Sequence, residues 1–193
     1  VTPLQQYLIE FPGGRLQALS IAWDSRPKSA GGQRWFHIFP KERIDHKDAL
    51  HWTGIYQNWN LQCAECHSTG LRKGYDAASN TYRTTWQELN VSCEACHGPG
   101  SRHVGWAKTA TRPYPAGDDK GFLHTTTSRW RDAWRFPDSG ARIARRDRLA
   151  EPSVNDICAA CHARRGTLAD RDKPGAPLAD THRLALLTPP NYH

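Results

Sequence analysis

The sequence predicts an α+β chain, mainly α-helix and irregular coil, with a small N-terminal antiparallel β-meander, all wrapped around something larger than its own side chains. Three observations predict it. The first forty or so positions alternate like strands, the rest reads as helix and loop around three short cysteine motifs, and the 193 residues are only 38% hydrophobic. That apolar fraction is thin for a self-sufficient core, so another group must fill the interior or part of the chain must stay loose.

The elements follow in order. Gln6 to Phe11 is strand-like, Pro12-Gly13-Gly14 is a turn, and Leu16 to Trp23 alternates with Leu19, Ile21 and Trp23 on one face. A loop over Pro27 to Gly32 leads to a third strand over Trp35 to Phe39. Residues 1–44 are thus expected to form a β-meander packed on the remainder, 45–193, in one cooperative domain. A helix within 47–67 should run into the first cysteine motif. Thr85-x-x-Glu88 has the form of a capping box and predicts a helix leading to the second motif. Further helices are expected over Ser101–Thr109, Gly140–Leu149 and Ser153–Arg165. Residues 110–139, rich in Thr, Pro, Gly and Arg, read as a long loop. The proline-bearing tail from Lys173 reads as extended.

The six cysteines are Cys63, Cys66, Cys93, Cys96, Cys158 and Cys161. They form three Cys-x-x-Cys pairs, each followed at once by a histidine: His67, His97 and His162. Two thiols three positions apart can add to the two vinyl groups on one edge of a haem, with the adjacent imidazole beneath the iron. Structural zinc would combine the pairs two by two and strand the third. A disulfide framework does not explain a histidine after every pair. A thioredoxin-type site uses one such pair on a βαβ scaffold. The motifs therefore predict three covalently bound haem c groups, the core filler that the composition lacks. Thioether attachment takes place outside the cytoplasm, so a periplasmic or extracellular location is expected.

The net charge of +7 invites a nucleic-acid reading, but the propionates of three haems would cancel most of it, and no block of five like charges occurs. No apolar run is long enough to span a membrane. The absence of any Met, the initiator included, suggests a processed product or an internal piece of something longer. It also rules out His/Met ligation from within the sequence. The sixth iron positions are then histidine or open. Among the seven remaining histidines, His103 is the first candidate as a distal ligand. The Gly98-Pro99-Gly100 link from His97 is too short to wrap one haem, so His103 is expected to serve a neighbouring one. His51 and His37 follow, then His124 and His193; His46 and His182, with charged neighbours, rank below. The eight tryptophans are read as haem packing.

The segments from Trp59 to Thr69 (WNLQCAECHST) and from Val91 to His103 (VSCEACHGPGSRH) resemble bacterial multihaem cytochromes related to the tetrahaem cytochrome c of ammonia oxidation. Many of these relatives carry tetratricopeptide repeats. The opening Pro3 to Leu8 and the run Arg34 to His37 resemble the same group. The resemblance implies an electron-transfer role and a distal role for His103 toward another haem. Such relatives carry further haem motifs on both sides, so the chain is expected to be an internal portion or a shortened member.

The function expected is electron transfer through mostly bis-His, low-potential haems, with redox proteins or other haem subunits as partners and a homo-oligomer or larger complex as the setting. A polymeric extracellular conduit is one form of this. The alternative is a redox enzyme with one five-coordinate haem acting on a small nitrogen or sulfur compound. The absence of a Cys-x-x-Cys-Lys motif weighs against that alternative, and no catalytic residue is singled out.

Overall fold

The computed structural model describes residues 2–114, 119–124, 134–146, 154–170 and 174–185. The chain divides into two compact units, Val1–Gln87 and Glu88–His193.

The first unit is built on the expected meander. Strands β1 (Leu4–Phe11), β2 (Arg15–Asp24) and β3 (Arg34–His37) form one antiparallel sheet in sequence order. The β1–β2 turn needs two consecutive glycines. Gly13 and Gly14 have φ of 78° and 73°, the left-handed region that other residues enter at a cost. A side chain on Gly14 would also strike the carbonyl of Tyr82, where a small hairpin pairs Tyr75–Asp76 with Thr81–Tyr82.

The buried face of β2 is not the expected one. Ala18, Ala22 and Asp24 point inward, while Ile21 is 46% exposed and Trp35, beside Trp23, is 56% exposed. The reason is polar. Gln17, fully buried, donates from Nε2 to the carbonyls of Trp52 (2.8 Å) and Gly54 (3.0 Å). Asn60, also fully buried, accepts from the Leu16 amide (2.7 Å) and donates to Gly14 O and Thr84 Oγ1. The 52–60 segment is held on β2 by these amides and by a bridge between Gln17 and Asn58. The aromatic face, with Tyr7, Trp23 and Trp35 in ring contact, is left outside.

Helices α1 (Trp59–Gln62) and α2 (Ala64–His67) run into the first motif as expected. The helix expected from Thr85 does not form. Thr85 exchanges both backbone hydrogen bonds with Arg72 (2.8 and 2.9 Å), so its peptide groups are spent on a β-bridge. Glu88–Leu89 is extended, and α3 begins only at Glu94 (Glu94–His97).

In the second unit, α4 (Ser101–Thr109) and α5 (Val154–His162) match expectation. The helix expected over Gly140–Leu149 is replaced, as far as it is described, by a hairpin. Arg145–Arg146 pairs with Trp134–Arg135, and Asp138 turns the chain by accepting from the Gly140 amide (3.0 Å). The tail is not simply extended either. His182–Leu184 pairs with Arg165–Thr167 just beyond α5, and the Leu178 amide donates to Asp156 Oδ1 on α5 (3.0 Å).

Among the described residues, the buried apolar side chains are few and mostly small: Ala18, Ala22, Trp59, Ala64, Ile157, Ala160 and Leu178. Large apolar side chains remain exposed, among them Ile55 and Tyr56 ahead of the first motif in sequence, Leu89 and Val91 ahead of the second, and Leu168 and Leu184 after the third.

Candidate functional site

Each cysteine motif lies on a single helical turn. The first is α2, with Cys63 just ahead of it; the second is α3, with Cys93 just ahead; the third ends α5. In the first two, the amides of the second cysteine and the histidine both bond to the carbonyl of the first cysteine. The distances are 3.1 and 3.1 Å at Cys63, and 3.3 and 2.9 Å at Cys93. The helical turn puts positions i, i+3 and i+4 on one face, so both sulfurs and the imidazole project to the same side. That is the arrangement that two thioether bonds along one porphyrin edge and an axial nitrogen require.

All six cysteines are free thiols, none paired in a disulfide. Burial, and then the neighbouring Cys66, push the Cys63 thiol up. Among the described residues, no group of three or more His, Cys, Asp or Glu side chains converges to hold a bare metal ion. The motif donors are spread along a helix face instead. The reduced thiol pairs, the imidazoles on the same face and the apolar side chains left exposed fit a large, flat, apolar, iron-bearing group. Cys63, Cys66, Cys93, Cys96, Cys158 and Cys161 would hold haem by thioether bonds, with His67, His97 and His162 on the iron.

The first motif is anchored from behind. Asn58 caps α1, its Oδ1 accepting from the Leu61 amide (2.9 Å). Trp59 is buried edge-on to Trp86, with centroids 5.3 Å apart. Lys73 and Glu65, both mostly buried, pair at 3.7 Å beside the motif.

The second motif has a partner that sequence reasoning did not identify. The His97 ring meets the carbonyl oxygen of His124 through Nδ1 (2.8 Å), and the His103 ring meets that of Lys120 through Nδ1 (2.7 Å). A carbonyl only accepts, so both rings carry their proton on Nδ1 and present the Nε2 lone pair, the form that binds a metal. Phe122 lies against both rings, stacked on His103 (4.0 Å, 16°) and tilted to His97 (4.9 Å). The structure thus brings His97 and His103 together. Backbone carbonyls leave no side-chain signature, and only the aromatic Phe122 offered a hint.

The other expected histidines are placed differently. His37 accepts from the Phe39 amide at Nδ1 (3.0 Å), and His51 Nδ1 lies 2.8 Å from Thr53 Oγ1 with the Thr53 amide at 3.4 Å. In those bonds the neutral ring keeps its proton on Nε2. His124 directs Nε2 to the Pro174 carbonyl (2.8 Å). His46 is exposed. His182 is 2% exposed, with Nδ1 at 2.8 Å from Thr181 Oγ1. His193 lies outside the described residues.

Residues 24–98 match the family model of cytochrome c554 and c-prime, a stretch that takes in the first two motifs and stops short of the third. No curated protein matches the chain. Among solved structures, the outer cell wall cytochrome OcwA is similar over 95% of this chain at 18% identity, with a TM-score of 0.47. The chain spans 31% of that protein's length.

Proposed function

We infer that the protein is an electron-transfer cytochrome bearing three covalently attached haem c groups, mostly with two histidines on each iron. The observation that carries this reading is the recurrence of one geometry at all three motifs: two free thiols and a histidine on one face of one helical turn. The match of residues 24–98 to a cytochrome family supports it. When bound, the haems supply reversible one-electron chemistry at iron. The chain's own work would be to bond the group through the six cysteines, to offer imidazole nitrogens to the iron and to shield the group from water.

His103 is the leading distal ligand, because its ring is held by the Lys120 carbonyl with Nε2 left to bind. His51 and His37 remain candidates that would have to exchange their present Nδ1 bonds for the other tautomer. His124 would have to leave Pro174, and His193 belongs to the same list. Attachment of haem outside the cytoplasm makes the protein periplasmic or extracellular. Its partners are redox proteins or further haem-bearing subunits, in a homo-oligomer or a larger complex. Among the described residues, no helix is long and apolar enough to cross a membrane.

The test is a pyridine haemochrome assay combined with protein quantification on the matured chain. The expected value is about three haem c per chain, one per attachment motif. A value near zero would end the reading. Ferric EPR on the same sample separates carrier from enzyme: low-spin signals alone favour the carrier, and a high-spin signal favours a five-coordinate haem open to substrate.

A further inference from the structure

The segment Asp119–His124 is short, yet each of its residues lies against α4, Gly98 or His97 of the second motif. Asp119 pairs with Arg102 of α4 (3.8 Å) and accepts from the Gly121 amide (2.7 Å). The Phe122 amide bonds to the Asp119 carbonyl (3.0 Å), closing a turn. Lys120 O receives His103 Nδ1, and His124 O receives His97 Nδ1. The His124 amide reaches back to the His97 carbonyl (3.3 Å). Gly121, with φ of +74°, lies so close to α4 that an added Cβ would stand 2.6 Å from the Arg102 carbonyl and 2.8 Å from the His103 amide. Leu123 fills the space over Gly98, which is also left-handed (φ +73°).

One carbonyl beside one histidine would be unremarkable local bonding. Here two carbonyls four residues apart on one turn take the Nδ1 protons of two imidazoles, and a single ring between those carbonyls packs on both. We propose that Asp119–His124 is a backbone clamp that sets the ring orientation and Nδ1–H state of His97 and His103 together. Both irons served by these rings then depend on one segment. The proposal rests on the reading of His97 and His103 as iron ligands. A carbonyl on Nδ1–H makes the opposite nitrogen a stronger donor and fixes the ring plane, as outer-shell partners of metal-bound histidines do. Ligand basicity and hydrogen bonding are levers on haem potential. The clamp therefore holds both haems at lower potential than unclamped rings would. Gly121 and Phe122 are positioning residues: the glycine lets the turn close on α4, and the phenylalanine blocks rotation of both rings.

The test compares the matured wild-type chain with Gly121→Ala, Phe122→Ala and His103→Ala, each confirmed to carry its haems by pyridine haemochrome. Spectropotentiometry and ferric EPR are read together. With Gly121→Ala or Phe122→Ala, two haem components are expected to move to higher potential with changed low-spin g-values, while the remaining component keeps its wild-type position. A change confined to a single haem, or none, overturns the clamp. If Gly121→Ala does not accumulate, Asp119→Ala loosens the turn without adding bulk and is read by the same criterion. His103→Ala separates the two ideas. If it produces one high-spin haem while the clamp variants do nothing, the ligand reading stands and the clamp falls. If it leaves every haem low-spin, the ligand role of His103 falls and the clamp falls with it.

Discussion

At the scale of single residues, the atom each imidazole presents divides the histidines. His97 and His103 give Nδ1–H to carbonyls, whereas His37 receives an amide proton at Nδ1. Residue type is the same for all of them; the ring state differs with the backbone group that arrives beside the ring. A second residue-scale feature is Asp24, 5% exposed at the end of β2. Arg26 grips its carboxylate with contacts of 2.6 to 3.1 Å. The Arg26 hydrogen bonds lower its pKa from 3.8 to about 2. A depressed carboxylate stabilises the fold fully above its unfolded pKa and loses that contribution as pH falls through the folded one. The stability gap between wild type and Asp24→Asn is therefore expected to be constant above pH 3.8 and to close as pH falls toward about 2. Unfolding midpoints measured across that range check it; a gap unchanged at the lowest pH would contradict the assignment.

At the scale of elements, the helices carrying the motifs are short, and α1 to α3 have four residues each. Isolated helices of that length do not persist in water. They are held by their tertiary partners, and α1 reaches those through its own buried Asn60. Replacing Asn60 with Leu takes the partner from the Leu16 amide and from the carbonyl of Gly14, which is exposed, while the Thr84 hydroxyl keeps its bond to the Lys73 carbonyl (2.8 Å). An unmet buried polar group costs about 1–3 kcal/mol, so with the Leu16 amide left unmet a loss of about 2 kcal/mol is expected by denaturant unfolding of the haem-loaded chain. A loss below about 0.5 kcal/mol would place Asn60 outside the anchor. The same dependence on distant partners explains the two misplaced helices. The capping-box pattern at Thr85 was outweighed by pairing with Arg72, and the helical pattern after Gly140 by pairing with Trp134–Arg135.

At the scale of the whole molecule, the composition and the packing agree. The buried apolar side chains of the described residues are mainly alanine and single larger groups, while Ile55, Leu89, Val91, Leu168 and others stay exposed. Apolar surface of this kind costs about 25 cal/mol per Å² in water, and bound haem would cover it. Chain produced without haem, with all six cysteines changed to serine, is expected to bind a hydrophobic dye strongly and to lose its near-UV dichroism. A cooperative, dye-silent fold in that protein would show that the polypeptide needs no prosthetic core.

The three Cys-x-x-Cys-His motifs and the meander could be read from sequence alone. A motif on one helical turn and a strand alternation are local patterns, complete within a few consecutive residues. The tertiary structure decided which face of β2 points inward, that Thr85, Glu88–Leu89 and Arg145–Arg146 pair as β-structure rather than helix, and which histidines hold Nε2 free. Those outcomes join Leu16 to Asn60, His97 to His124 and His103 to Lys120. They rest on backbone groups, identical in every residue, meeting across long stretches of chain.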